Sequence, residues 1–214
     1  FSRRYRCITF NARGYPPSDV PENVSQYSQV RAVDDIRDVM DHFKIVRAHI
    51  VGLSMGGFAA LHFGMTYPDR ALSLVVASAG YGAEKKFEDY FKEVSLEVAD
   101  QFESQGSESF SHTYGMAASR VPFLLKDPSG WSEFRRMLGE HSAKGSADTM
   151  RGVQAERPSL YDLEDSLGIL AKMPPADILC PFGTLSTASI GRRCLASVLL
   201  LNFNTLPFSS TSLI

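Results

Sequence analysis

Gly52-Leu53-Ser54-Met55-Gly56 is the stretch that decides the fold. It follows a short apolar run from Val46 to Leu53, with Ala48, Ile50 and Val51, and precedes a run of small side chains, Gly56, Gly57, Ala59 and Ala60, that stops before Pro68. The first run reads as a strand buried on both faces in a parallel sheet, the second as a helix over 55–67. In that context the G-x-S-x-G pattern is a sharp strand-to-helix turn. A serine held in it takes a strained backbone conformation that lifts its hydroxyl clear of the sheet, and glycines flank it because a Cβ there would strike the neighbouring strand or helix. The same turn aims the backbone N–H of Met55, at the positive end of a helix dipole, into the space beside the Ser54 oxygen, as one half of an oxyanion hole. A merely flexible glycine loop is the competing reading, and the flanking strand and helix weigh against it.

Outward from this turn, the pattern repeats. Tyr5-Arg6-Cys7-Ile8-Thr9-Phe10-Asn11 is aromatic and β-branched and reads as a strand closed by Arg13-Gly14-Tyr15-Pro16-Pro17. From Ser28 to Lys44, Val30, Val33, Ile36, Met40 and Phe43 fall at spacings of three and four, with Asp34, Asp35, Asp38 and Asp41 on a solvated face, so an amphipathic helix is expected. Leu72 to Ala77 is another buried strand. Strand and helix alternating within about 80 residues imply an α/β parallel sheet with helices on both faces. Residues 83–157 contain no buried-strand run. Phe87, Phe91, Val94, Val98 and Phe102, then Trp131, Phe134 and Leu138, repeat at helical spacing, which predicts a helical insertion. A capping-box pattern, Ser159 with Asp162, starts a further helix with Leu160, Leu163, Leu167 and Leu170 on its inner face, and the sheet is expected to resume near 176–182.

Composition narrows the classes. The 214 residues are 44% apolar and 21% charged, enough for roughly one domain with a real core and too apolar for disorder. With 22 Lys and Arg against 24 Asp and Glu, the formal charge of -2 gives no basic excess for a nucleic-acid partner. Cys7, Cys180 and Cys194 are too scattered for a disulfide framework or a zinc site. No run approaches the roughly 20 apolar residues a bilayer requires, and the N-terminus lacks a signal-peptide core, so a cytoplasmic protein without membrane partners is expected. The chain opens on Phe1 and enters a strand-like run almost at once, which reads as a fragment. After Asp177 the remaining 37 residues hold no carboxylate and ten Ser or Thr, a composition foreign to the rest and read as an atypical tail.

Phe10-Asn11-Ala12-Arg13-Gly14-Tyr15-Pro16-Pro17-Ser18-Asp19, Gly52-Leu53-Ser54-Met55-Gly56-Gly57 and Tyr67-Pro68-Asp69-Arg70 together resemble the α/β-hydrolase fold superfamily, in its lipase, esterase, lactone-hydrolase and C–C-hydrolase branch. The resemblance covers 4–82 and extends more loosely through Arg157-Pro158-Ser159-Leu160-Tyr161-Asp162-Leu163. It implies an α/β-hydrolase-like core over 1–82, a helical cap over 83–157, a return to the core over 158–182 and the atypical tail over 183–214, incomplete at both ends. It further implies Ser54 as nucleophile, the Met55 amide as oxyanion donor, acyl transfer from a small-molecule substrate to water, and neither cofactor nor metal. Serine rather than aspartate at 54 argues against the haloalkane dehalogenase and epoxide hydrolase branches.

The resemblance also marks gaps. The family's first oxyanion element, a His-Gly pair after a strand, has no counterpart, which leaves a one-strand gap beside residues 46–53. The family's order of Ser, acid, His is not completed, for no Gly-Asp pair follows the cap and no histidine follows His141. Asp177 is a weak candidate for the acid, and Ser78-Ala79-Gly80, the other family position, carries no carboxylate. His62 lies about 12 Å along the helix from Ser54 and His49 on the order of 16 Å along the strand, so both read as packing or surface residues. His42 reads as a solvated helix-end cation, and His112 and His141 belong to the insertion. Phe87, Tyr90, Phe91, Phe102, Phe110 and Trp131 could line an acyl pocket or simply pack helices. The alternative to an enzyme is a non-catalytic member of the fold that binds a ligand or partner.

Overall fold

The computed structural model describes residues 2–79 and 85–170, together with the backbone of a two-residue strand at 200–201. Its first helix, α1, spans Gln29–His42 and begins where Ser28 accepts a hydrogen bond from the Arg31 amide at 3.1 Å, satisfying one of the unpaired N–H groups of the first turn. Val33, Ile36 and Met40 are buried, each worth about 1.5–3 kcal/mol over exposure. Val30 and Phe43, expected on the same stripe, are 72% and 41% exposed. They sit at the two ends of the helix, where the packed core has run out.

The four acids of α1 do not form a merely solvated face. Asp35 accepts two hydrogen bonds from the Arg13 guanidinium, at 2.7 and 3.1 Å. Asp34 accepts from Arg37 and from the Tyr67 hydroxyl, Asp38 from Arg37, and Asp41 from Arg70. These pairs pin α1 to the loop at 13 and to the 3-10 turn Pro68–Arg70 that follows the second helix.

Strand β1 spans Ala48–Leu53, helix α2 Met55–Thr66 and strand β2 Ala71–Ala77. The two strands are parallel, with Ile50 opposite Leu74 and Gly52 opposite Val76. Burial alternates along β1 instead of covering both faces as its apolar run suggested. Ala48, Ile50 and Gly52 face α2, whereas His49, Val51 and Leu53 lie on the half-exposed side, where the His49 ring meets the Ser73 hydroxyl at 2.8 Å. Helix α2 is buried nearly all round, because it packs on both strands and also against α1 and the last described helix, α7 (Glu164–Leu170). On the side of β1 away from β2, where a one-strand gap was expected, Leu200–Leu201 forms β3 and pairs in parallel with Val51 and Gly52.

Residues 5–11, expected as a strand, join no ladder. A strand needs a neighbour to exchange hydrogen bonds with, and among the described residues none lies beside this segment; Ile8 and Phe10 instead rest on the edge of the main core.

The insertion is helical, as the spacing predicted. It comprises α3 (Glu88–Gly115), α4 (Val121–Lys126), α5 (Pro128–Gly139) and α6 (Ala143–Thr149), the last running into a π-helical turn at Met150–Gln154. Gly106, at φ 74°, breaks α3 into two segments. These helices close around a second apolar cluster of Ala99, Phe102, Phe110, Leu138 and Ala147, separate from the core under the sheet. Two glycines let the insertion touch the rest of the molecule backbone to backbone. A Cβ on Gly145 would fall well inside 3.0 Å of the Gly14 carbonyl, and one on Gly152 would do the same at the Tyr27 carbonyl.

After the insertion a 3-10 turn, Leu160–Leu163, precedes α7, Glu164–Leu170. Ser159 caps the 3-10 turn by accepting from the Tyr161 amide at 3.3 Å, so the α-helix starts four residues later than the capping-box reading placed it. Leu160 and Leu170 are buried, and Leu163 and Leu167 pack against the main core. The expected strand near 176–182 and the tail other than 200–201 lie outside the described residues. No described helix is long and apolar enough to cross a membrane.

Candidate active site

Ser54 stands at the junction of β1 and α2 with φ 55° and ψ -116°, on the left-handed side of the Ramachandran map. A non-glycine residue there stores roughly 1–3 kcal/mol of strain, which only a well-determined surrounding holds in place. The surroundings are visible. The Ser54 amide donates to the Ala77 carbonyl at 2.8 Å, tying the turn to the end of β2, and its carbonyl accepts from Phe58 at 3.1 Å as the first hydrogen bond of α2. Gly52 admits no side chain, because a Cβ would fall well under 3.0 Å from the Gly56 carbonyl and 2.7 Å from the Gly57 nitrogen. On Gly57 it would meet the Ala77 carbonyl at 2.9 Å. Strand end and helix start therefore press together at glycines, and Ser54 takes up the bend.

Ser54 is exposed while every residue from Met55 to Leu61 is buried. Its hydroxyl makes no capping hydrogen bond to α2, unlike the N-cap serines Ser28 and Ser142. The Met55 amide is the first of α2, where geometry leaves N–H groups without an intrahelical acceptor, at the positive end of the helix dipole. A serine on a strained, exposed turn thus sits beside the first amide of a 12-residue helix. Beside it Ser78, directly after β2, also has a positive φ of 51°, a feature the sequence did not announce.

None of the five histidines is bonded to Ser54 among the described residues. His49 faces Ser73, and burial lowers its pKa. His62, half-buried on α2, is pushed down to about 4 by burial and by the charge of Arg157, and its Nε2 has no hydrogen-bond partner among the described residues. His42 stacks edge-on against Phe43, His112 meets Arg135 at 2.6 Å, and His141 lies edge-on to Tyr15 with its pKa lowered by burial.

The insertion's aromatics divide by role. Phe102 and Phe110 meet at a tilt in the second core with centroids 4.1 Å apart, Trp131 donates to the Gly115 carbonyl, and Phe87 and Tyr90 are exposed. Phe91 takes part in the junction with α2. There the Arg157 guanidinium lies 3.4 Å over the Phe58 ring and 5.0 Å from that of Phe91, while also donating to Gln154 at 2.6 Å. Phe58 is one helical turn beyond Ser54, so this cation joins α2 to the insertion. Sequence spacing does not reveal such a sandwich, because its three members come from three separate elements.

A cleft of about 500 Å3 runs between Phe10–Asp19 and the outer side of α1 and does not include Ser54. No group of three or more His, Cys, Asp or Glu among the described residues is placed to hold a metal ion.

The 3-oxoadipate enol-lactonase 1 of Acinetobacter baylyi is 37% identical over 76 residues, 36% of this chain and 27% of that protein. Epoxide hydrolase 1 of Caenorhabditis elegans is 36% identical over 75 residues, 35% of this chain and 19% of that protein. The matched stretches thus span 19% and 27% of these relatives' lengths. The crystal structure of the enol-lactonase from Burkholderia xenovorans LB400 superposes with a TM-score of 0.59 at 19% identity, over 72% of this chain and 55% of that one, which is a likeness of fold. Residues 1–153 match the family described as the alpha/beta hydrolase fold. The chain belongs to that family.

Proposed function

We propose that this protein hydrolyses an ester, lactone or activated C–C bond of a small-molecule acyl substrate through an acyl-Ser54 intermediate. One observation carries the reading: Ser54 is exposed at φ 55°, with its hydroxyl unused in capping. In this mechanism the Ser54 oxygen attacks the substrate carbonyl carbon and its proton passes to a general base. Negative charge then develops on the carbonyl oxygen, where the Met55 N–H and the α2 dipole stabilise it. Collapse expels the leaving group, and water releases the acid. Removing one such oxyanion donor slows acyl transfer by roughly 100- to 1000-fold in other enzymes. Residues 83–157 act as the cap over the acyl site, with the Arg157 sandwich fixing it to α2. The enol-lactonase name of one relative supports an acyl bond as target. The epoxide hydrolase name of another does not displace it, since a serine oxygen at 54 suits acyl transfer.

A rapid-mixing experiment on the full-length protein with a p-nitrophenyl ester tests this. A burst of nitrophenol equal to the enzyme concentration, followed by slower turnover and lost in Ser54→Ala, is expected. Steady turnover without a burst that persists in Ser54→Ala would overturn it, and binding without turnover would favour a ligand-binding member of the fold.

A further inference from the structure

Directly behind the nucleophile turn, where α6 of the insertion meets the loop at 12–13 and the start of α1, lies a small cavity of about 20 Å3. Ala12, Ala32, Met55 and Val153 form its apolar wall, and Ser28, Asp35 and Thr149, with Arg13, Tyr27 and Arg31, its polar one. That volume is too small for an acyl chain and matches one water, which needs room for about one probe sphere and two to four polar partners.

The polar wall supplies them. Thr149 is 4% exposed, and its Oγ1 has no hydrogen-bond partner among the described residues. A buried hydroxyl left so is costly, and native proteins seldom leave one. Ser28 Oγ accepts from the Arg31 amide and keeps its own proton to give. Asp35 accepts two hydrogen bonds from Arg13 and retains lone pairs. The Tyr15 hydroxyl lies close to Thr149 and Ser146, near enough to offset part of the burial-driven rise of its pKa, yet Thr149 and Ser146 both fall short of a well-formed hydrogen bond.

We propose that this cavity is a binding site for one ordered water, held by Thr149, Ser28 and Asp35, that bridges the insertion to the core behind Met55. The water accepts from Ser28 and donates to Asp35 and Thr149. Its place between α6 and the loop makes it part of the joint that Gly145 and Gly14 form by direct contact.

The sign of one substitution discriminates. Thr149→Val keeps the shape and removes the hydroxyl. If the hydroxyl holds a water, the variant strands that water and melts about 2–4 °C lower, while Thr149→Ser stays near wild type. If the hydroxyl is an unsatisfied group in a dry hole, removing it raises the melting temperature. High-resolution crystal structures of the full-length protein provide the second readout. A water within hydrogen-bonding distance of Thr149 Oγ1 in wild type and Thr149→Ser, absent from Thr149→Val, is expected. A dry cavity, a Thr149 hydroxyl bonded directly to Tyr15, or a Thr149→Val protein that melts higher would overturn the proposal.

Discussion

Replacing Gly52 by alanine adds one methyl group at the place where the account has least slack. The new Cβ would lie well under 3.0 Å from the Gly56 carbonyl and 2.7 Å from the Gly57 nitrogen, all backbone atoms of the first turn of α2. Overpacking against side chains costs about 1–3 kcal/mol, because side chains can turn aside. Backbone cannot, so the end of β1 and the start of α2 must separate, and we expect about 3 kcal/mol or more. For a protein of this size that is a fall in melting temperature of about 6–12 °C. Separation also lets Ser54 relax from φ 55°, so labelling by a serine-reactive fluorophosphonate should fall further than the fraction unfolded explains. Gly168→Ala is the internal control. A Cβ there meets nothing within 4 Å, on the exposed side of α7, and loss of glycine's backbone freedom should stabilise by about 0.5–1 kcal/mol. Scanning calorimetry measures both. A Gly52→Ala protein that melts with wild type and labels at the wild-type rate would refute the reasoning.

Three further outcomes follow from the geometry. His62 carries a folded pKa of about 4 against an ordinary value of 6.5, so between those values the unfolded chain takes up a proton that the folded one does not. Stability from this residue is complete above pH 6.5 and falls by up to about 3 kcal/mol as the pH drops to 4, and His62→Leu should flatten that limb of a denaturation-versus-pH curve; an unchanged limb would sink the assignment. Arg13 and Asp35 are each less than a third exposed, so a double-mutant cycle with Arg13→Ala and Asp35→Ala, read by urea denaturation, should show about 1–2 kcal/mol of coupling, and additivity would contradict the bidentate pair. Gly145→Ala pushes α6 off the Gly14 carbonyl, and hydrogen exchange should quicken at Tyr27 and Gly152 on both sides of that joint, whereas unchanged exchange would show the contact to be slack.

How much was legible in the sequence depends on whether a feature is local. The turn at Ser54 was fully legible, since strand, glycines and helix are contiguous and their crowding is fixed by bond lengths. Helix α1 was legible in period and in its buried trio Val33, Ile36 and Met40, but not at its ends, where Val30 and Phe43 meet solvent because neighbours, not period, decide burial. Residues 5–11 had strand chemistry without a strand partner, and pairing cannot be read from one segment. The apolar run of β1 concealed a one-sided burial, because Val51 and Leu53 are apolar whether or not a helix covers them. Long-range joints left no signal: Gly145 against Gly14, Gly152 against Tyr27, and Arg157 between Phe58 and Phe91 each unite residues tens of positions apart. For the acid the sequence offered only Asp177, which lies outside the described residues, and for the base no histidine in the family's position; among the described residues no hydrogen bond joins Ser54 to a carboxylate or a histidine.

The central claim, that the residue on the strained turn is the reacting nucleophile, is tested most directly by mapping a covalent adduct. The full-length protein is treated with a fluorophosphonate and digested, and the modified peptide is sequenced by mass spectrometry. A single phosphonylated residue, Ser54, and no labelling of Ser54→Ala in a sample that remains folded are expected. An adduct on another residue, or equal labelling of the alanine variant, would contradict it.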